Sequence, residues 1–288
     1  MTDHSDTKPL IRWTVGDAHP NGLSILRESI RSAQNLFGYE KFDWIICSNA
    51  QVKENIHIIK TISNDLGVTI VYPSWSSLPI PLSAIRSAVS SDIVEPRHET
   101  FWKVCPPRLR LHSHEIILDN DLVLRRIPPQ LEYFLSDVKS ILLVEDVHHH
   151  GKYHELFNSK QKFNSGLIGL PPGFDFGKAI RQIWEQNHCY SDLTFRDEQG
   201  LVTAAAMTIP HYEISNKQII QLLSTGKIRA AQYKTLSENE ISSKVLKSLA
   251  ITSYCFTGNE YGFHFCESNR RDHLPWRAYQ AFFNMGYT

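Results

Sequence analysis

The chain carries no surplus of charge of either sign: 30 Lys and Arg stand against 30 Asp and Glu over 288 residues, a formal net charge of zero. Proteins that grip a nucleic-acid backbone neutralise its phosphates with a surplus of basic groups, so no nucleic-acid partner is expected. No apolar run approaches the roughly 20 residues that a membrane helix needs, and the opening MTDHSDTKPL is polar where a secretory leader is apolar. The expectation is a cytoplasmic protein with no integral membrane segment. Cysteine is sparse: Cys47, Cys105, Cys189, Cys255 and Cys266 are scattered, odd in number and include no C-x-x-C pair. That argues against a disulfide framework or a structural zinc site, and reduced, mostly buried thiols are expected. Repeats and low-complexity tracts are lacking too, so disorder is expected only over about the first ten residues.

What is present is an alternation of strands and helices. Ile11 to Val15 is a short apolar strand ending at Gly16-Asp17, and Leu23, Leu26, Ile30, Ala33 and Phe37 follow at helical spacing until Gly38. Asp43 to Cys47 reads as a second strand, Val52 to Leu66 as a helix closed by Gly67, and Val68 to Tyr72 as a third strand before a Pro-rich loop. Such alternation implies a mainly parallel sheet with both faces covered. Further strands are expected at Glu115 to Leu118, Ser140 to Val144 and Gly166 to Leu170, with Ile209 to Ile214 as an antiparallel addition. Helices are expected over Phe174 to His188, Asp197 to Met207 and Leu274 to Met285, the last with Trp276, Tyr279, Phe282 and Phe283 as an apolar face for the core, or else for an interface. No linker is evident, so residues 1–10 read as a flexible N-terminus and 11–288 as one α/β domain with a C-terminal helical extension.

Several of these strands run straight into acids. Asp17, Asp119, Asp121, Glu145 and Asp146 all follow apolar segments, and in open α/β sheets ligands sit beyond the carboxyl ends of the strands. Asp119-Asn120-Asp121 is a D-x-D at such an end, where two carboxylates with one further ligand can hold a hard divalent cation that in turn grips a diphosphate. As a pattern alone, D-x-D also describes a solvated turn.

The blocks HEIILDNDLVL at 114–124, FNSGLIGL at 163–170, RDEQGLV at 196–202, FHF at 263–265 and LPW at 274–276 give that pattern a context. In this order, behind the N-terminal β-α-β-α-β run, they resemble the nucleotide-sugar-dependent glycosyltransferases of the GT-A fold, and within them glycosyltransferase family 8. The resemblance implies a GT-A type, Rossmann-like α/β fold: a mixed, mainly parallel sheet flanked by helices. It implies transfer of a sugar from a nucleoside-diphosphate donor, a UDP-sugar above all, to a carbohydrate or other hydroxyl acceptor, with retention at the anomeric carbon. Asp119 and Asp121 then correspond to metal ligands, with His264 as the third, a carboxylate and imidazole set that suits Mn²⁺ better than Mg²⁺. Asn164 corresponds to a residue near the reacting sugar, and Asp197 to the first acid of a D-Q-D block that binds donor-sugar hydroxyls. Here the chain departs from the pattern, because Glu198 stands where the family has an amide, placing a second carboxylate near the anomeric carbon.

Other donor-binding positions follow less closely. Asp17 sits where a family acid often meets the uracil, although GDAHPNG differs from the family wording. Arg108, with Lys103 as its rival, stands for a family Arg that reaches the donor. The C-terminal CESNRRDHL segment is longer than in the family and lacks its Lys, leaving Arg270 or Arg271 to bind the diphosphate, as guanidinium groups do bidentately. Two other readings remain open on the residues. His148-His149-His150, beside Glu145, Asp146 and His154, offers imidazoles for a metal-dependent hydrolase, although consecutive side chains do not share one face. A catalytically silent nucleotide-sugar-binding protein of the same fold is the other.

Overall fold

In the computed structural model, the described residues are 8–88, 97–146, 151–157, 161–187, 193, 195–223, 228–229, 260–266, 268, 271 and 273–284. Strand β1 (Leu10–Val15) is buried along its whole length, between β2 (Asp43–Ser48) and β4 (Glu115–Asp119), both parallel to it. Outside β2 lies β3 (Thr69–Val71), also parallel. On the other side of β4, β7 (Phe163–Leu170) runs antiparallel, followed by β6 (Ile141–Glu145) and β8 (His211–Ile214). The sheet is thus seven-stranded, mixed and mainly parallel, in the order β3-β2-β1-β4-β7-β6-β8. One expectation is corrected: β8 pairs parallel with β6, where an antiparallel addition was read. A short apolar run fixes that a strand forms but not its direction, which here is set by the two helices that carry the chain back from β7.

The helices have local causes. Helix α1 (Pro20–Phe37) starts with Pro at N1 and His19 as N-cap, and ends at Gly38 with φ of 83°. Helix α2 (Lys53–Leu66) ends on Gly67 in the left-handed region. A short α3 (Leu82–Ala88) and α4 (Pro129–Ser136) follow, then α5 (Phe176–Gln186), capped by Asp175, and α6 (Phe195–Ala206). Strand alternation sends Ile116, Leu118, Leu142 and Val144 to the face covered by α1 and α2, and Ile117, Ile141 and Leu143 to the face that holds Phe176, Ile180, Leu201 and Ala205 of α5 and α6. Arg12 is wholly buried, its Nε 2.7 Å from Glu115 of the neighbouring strand and its other nitrogens donating to the carbonyls of Pro106 and Pro107. Glu115 in turn accepts from the N–H groups of Leu109 and Arg110. With both charges paired, this ion pair fastens segment 105–115 to the sheet.

A second sheet was not expected from the sequence. It has the order β10-β9-β11-β5, built from β5 (Leu122–Leu124), β9 (Ile219–Leu222), β10 (Ile228–Arg229) and β11 (Gly262–His264). Phe263 and Phe265 pack there with Trp276 and Tyr279 of α7 (Leu274–Asn284), so these two aromatic residues of the last helix do enter a core. No helix among the described residues is long and apolar enough to cross a membrane.

Candidate metal and donor site

The polypeptide passes from one sheet to the other through Asp119-Asn120-Asp121: β4 ends at Asp119 and β5 begins at Leu122. Strand β11 pairs antiparallel with β5, placing His264 opposite Leu122, and Phe265 donates its N–H to the carbonyl of Asp121 at 2.8 Å. This pairing brings a histidine to two acids more than 140 residues earlier in the chain. His264 Nε2 lies 3.0 Å from Asp121 Oδ1 and 3.6 Å from Asp119 Oδ2. One ligand atom from each of the three residues falls within 4.8 Å of the others. Two carboxylate oxygens and an imidazole nitrogen on half-buried to buried side chains form a donor set that fits Mn²⁺ or Mg²⁺.

The glycine of the F-N-S-G block explains how the imidazole fits. A Cβ built on Gly166 would lie 2.8 Å from His264 Cε1 and 3.0 Å from Nδ1, so the ring rests against bare backbone. Asn164 turns its side chain to the same segment, accepting from Gly166 N–H at 2.9 Å and reaching the Glu145 carbonyl at 3.4 Å. Lys103 completes the cluster. Its ammonium is 2.7 Å from Asp119 Oδ1 and donates to Ser165 Oγ at 2.8 Å, which leaves Asp119 Oδ2 to face His264. Neither Ser165 nor Gly166 was singled out from the sequence, since a small residue after Asn reads as a turn.

The electrostatics follow from this packing. Burial opposes the charged form of Asp121, but the imidazole of His264, Ser268 and Lys103 outweigh it and hold its carboxyl below the usual range. Burial likewise opposes the imidazolium of His264, and Cys266 and Asp121 outweigh it, lifting His264 well above the ordinary histidine value. For Lys103, burial is countered by Asp119 and Glu198, and its pKa is raised. Glu198 shows the opposite balance: burial dominates, Lys103 offsets only part of it, Asp119 adds to it, and the carboxyl is pushed up to about 7.

Other residues read from the sequence have different surroundings. Asp17 accepts from the N–H groups of Gln51 and Val52 and so holds the start of α2. Arg108 donates to the carbonyls of Arg110, Pro171, Phe174 and Ser113, binding together the loops at the opposite side of β4. Arg271 is exposed, and its carbonyl accepts from Asn21. Asp197 is buried and accepts from the N–H of Lys152. Glu145 accepts from Ser215 and Asn216, and Asp146 from Gln199. Arg270 and His148-His149-His150 lie outside the described residues, as does the side chain of His154.

Comparison with known proteins separates fold from family. No family model matches the chain, and no curated protein matches its sequence. Solved structures do. An active-site mutant of LgtC aligns over 96% of this chain and 95% of its own, with a TM-score of 0.57 and 11% identity. The galactosyltransferase LgtC in complex with donor and acceptor sugar analogues gives a TM-score of 0.53 at 12% identity, covering 96% and 94% of the two chains. Mouse xyloside xylosyltransferase 1 in its apo form gives 0.51 at 13% identity, covering 92% and 99%. The architecture is therefore that of the GT-A glycosyltransferases, shared over nearly the whole length of both chains.

Proposed function

We propose that the protein is a metal-dependent glycosyltransferase, similar to family 8, that moves a sugar from a nucleoside diphosphate to an acceptor hydroxyl with retention at the anomeric carbon. The observation that carries this reading is the convergence of Asp119, Asp121 and His264 at the junction of two sheets, in a fold shared with sugar transferases. The three side chains would hold a divalent cation, Mn²⁺ by preference and Mg²⁺ as the alternative, with a UDP-sugar as the favoured donor. Such a cation supplies positive charge where the departing diphosphate becomes more negative.

This chain's own residues have definite parts in that scheme. Lys103 fixes the Asp119 carboxylate so that one oxygen faces the site, and its ammonium adds a second positive charge there. Asn164 and Gly166 keep the backbone tight under the imidazole. Arg270 or Arg271, just beyond β11, would reach the diphosphate from the C-terminal side. In transfer, the bond between the anomeric carbon and the diphosphate oxygen breaks, its electron pair leaves with the diphosphate, and the acceptor oxygen takes its place and gives its proton to the departing diphosphate oxygen. Asp121→Asn tests the assignment: transfer from the donor should be abolished while circular dichroism and melting remain those of a folded protein. Retained activity with unaltered metal dependence would overturn it.

A further inference from the structure

The first turn of α6 carries two consecutive buried acids whose surroundings differ. Asp197 is 1% exposed, and its Oδ1 accepts the N–H of Lys152, at the start of the short helical segment Lys152–Leu156. Gly151 lies directly on it: a Cβ there would overlap Asp197 Oδ1 and sit 2.6 Å from Asp197 Cα, and the Gly151 φ of 64° is one that glycine accepts. Two residues further, Tyr153 is 1% exposed and packs in the same core as Leu201 and Val202 of α6. The Asp197 carboxylate is thus closed in by segment 151–157.

Glu198 is also buried, at 5% exposure, yet its Oε1 has no hydrogen-bond partner among the described residues. Its helix packs on β7, which carries Asn164 and Ser165, and on the segment Arg97–Val104, which carries Lys103, but Lys103 directs its ammonium to Asp119 and Ser165. A buried carboxyl oxygen left without a donor is costly. A polyhydroxylated ligand entering beside the metal ligands brings such donors.

We infer that these acids divide the work, Glu198 receiving a hydroxyl of the sugar carried by the diphosphate and Asp197 holding segment 151–157 in place without touching the sugar. Glu198 is then a substrate-binding residue and Asp197 a positioning residue, the reverse of the weight that the sequence resemblance gave them. The inference rests on the diphosphate reading of the Asp119, Asp121 and His264 site.

Two measurements on the full chain with Mn²⁺ test it: calorimetric affinities for UDP and GDP against their glucose and galactose conjugates, and amide hydrogen exchange over 151–157. Glu198→Ala should weaken the nucleotide sugar about tenfold or more, the loss expected for a hydrogen bond to an ionisable group, with the bare nucleoside diphosphate unchanged. Glu198→Gln, which keeps an acceptor oxygen at the same place, should recover most of the loss. Asp197→Ala should raise exchange over 151–157 and leave the ratio between nucleotide sugar and nucleotide as in wild type, and Asp197→Asn should restore protection. The inference is overturned if Glu198→Ala leaves that ratio unchanged, as it would with water on Oε1, or if Asp197→Ala alters it. Wild-type protein that binds no nucleotide at all would refute the diphosphate reading, and the Glu198 assignment with it, while exchange alone would still decide Asp197.

Discussion

Gly166 and Glu198 show how much a single residue decides at this site. Because a methyl at Gly166 would press on His264 Cε1 and Nδ1, Gly166→Ala should displace the imidazole and lower stability by about 1–3 kcal/mol, the usual penalty of overpacking. Mn²⁺ affinity should fall with it, which a Mn²⁺ titration followed by electron paramagnetic resonance would read. Glu198 contributes through its proton. Its carboxyl moves from the ordinary 4.5 to about 7 on folding, chiefly by burial, so between those values the folded state binds the proton that the unfolded state has released. Its contribution is therefore complete below the unfolded pKa and is lost as pH rises through the folded one. In metal-free protein Glu198→Gln should remove this dependence, up to about 3 kcal/mol, and flatten the curve of melting temperature against pH between 4.5 and 7. An unchanged slope would mean that Glu198 is solvated. The reading of Asp119, Asp121 and His264 as one group was available from the sequence, because the acids close an apolar strand and the histidine lies in a recognisable block. The surroundings of Asp17 and Arg108 were not, since an acid or a guanidinium that binds main-chain groups in a distant loop has the same local sequence as one that binds a ligand.

At the scale of elements, the site depends on three-residue strands. β11 and β5 meet over the pairs Gly262↔Leu124, Phe263↔Val123 and His264↔Leu122, and a Cβ at Gly262 would lie 2.9 Å from the Val123 carbonyl oxygen. Gly262→Ala should wedge this pair apart and weaken metal binding without changing any ligand. Normal Mn²⁺ affinity in that variant would show that the strand pairing is not what sets the distance from His264 to Asp121. Such pairing is hard to read from sequence: strands this short have no clear period, and their partners are more than 130 residues away. The longer elements were legible for the opposite reason. Helices α1 and α2 show helical spacing and stop at Gly38 and Gly67, both with positive φ, and the central strands are apolar runs bounded by polar residues. The direction of β8 was not encoded in that way, and only the path through α5 and α6 set it.

Over the whole molecule, the larger sheet supplies Asp119 at the end of a central strand and the smaller one supplies His264, with Asp121 at the crossing between them. Neither sheet alone brings these three side chains together, so a cation bound by them would report on the assembly of the two sheets as well as on chemistry. A ligand that binds only the native protein raises its melting temperature, and a cation shared by protein and diphosphate makes the two ligands depend on each other. The most direct measurement is the melting temperature of wild-type protein with a panel of nucleoside diphosphates, with and without Mn²⁺, beside the same panel on Asp121→Asn. A rise is expected for at least one nucleotide, one that requires Mn²⁺ and is missing in Asp121→Asn. No rise with any nucleotide in folded protein, or an equal rise in the variant, would contradict it.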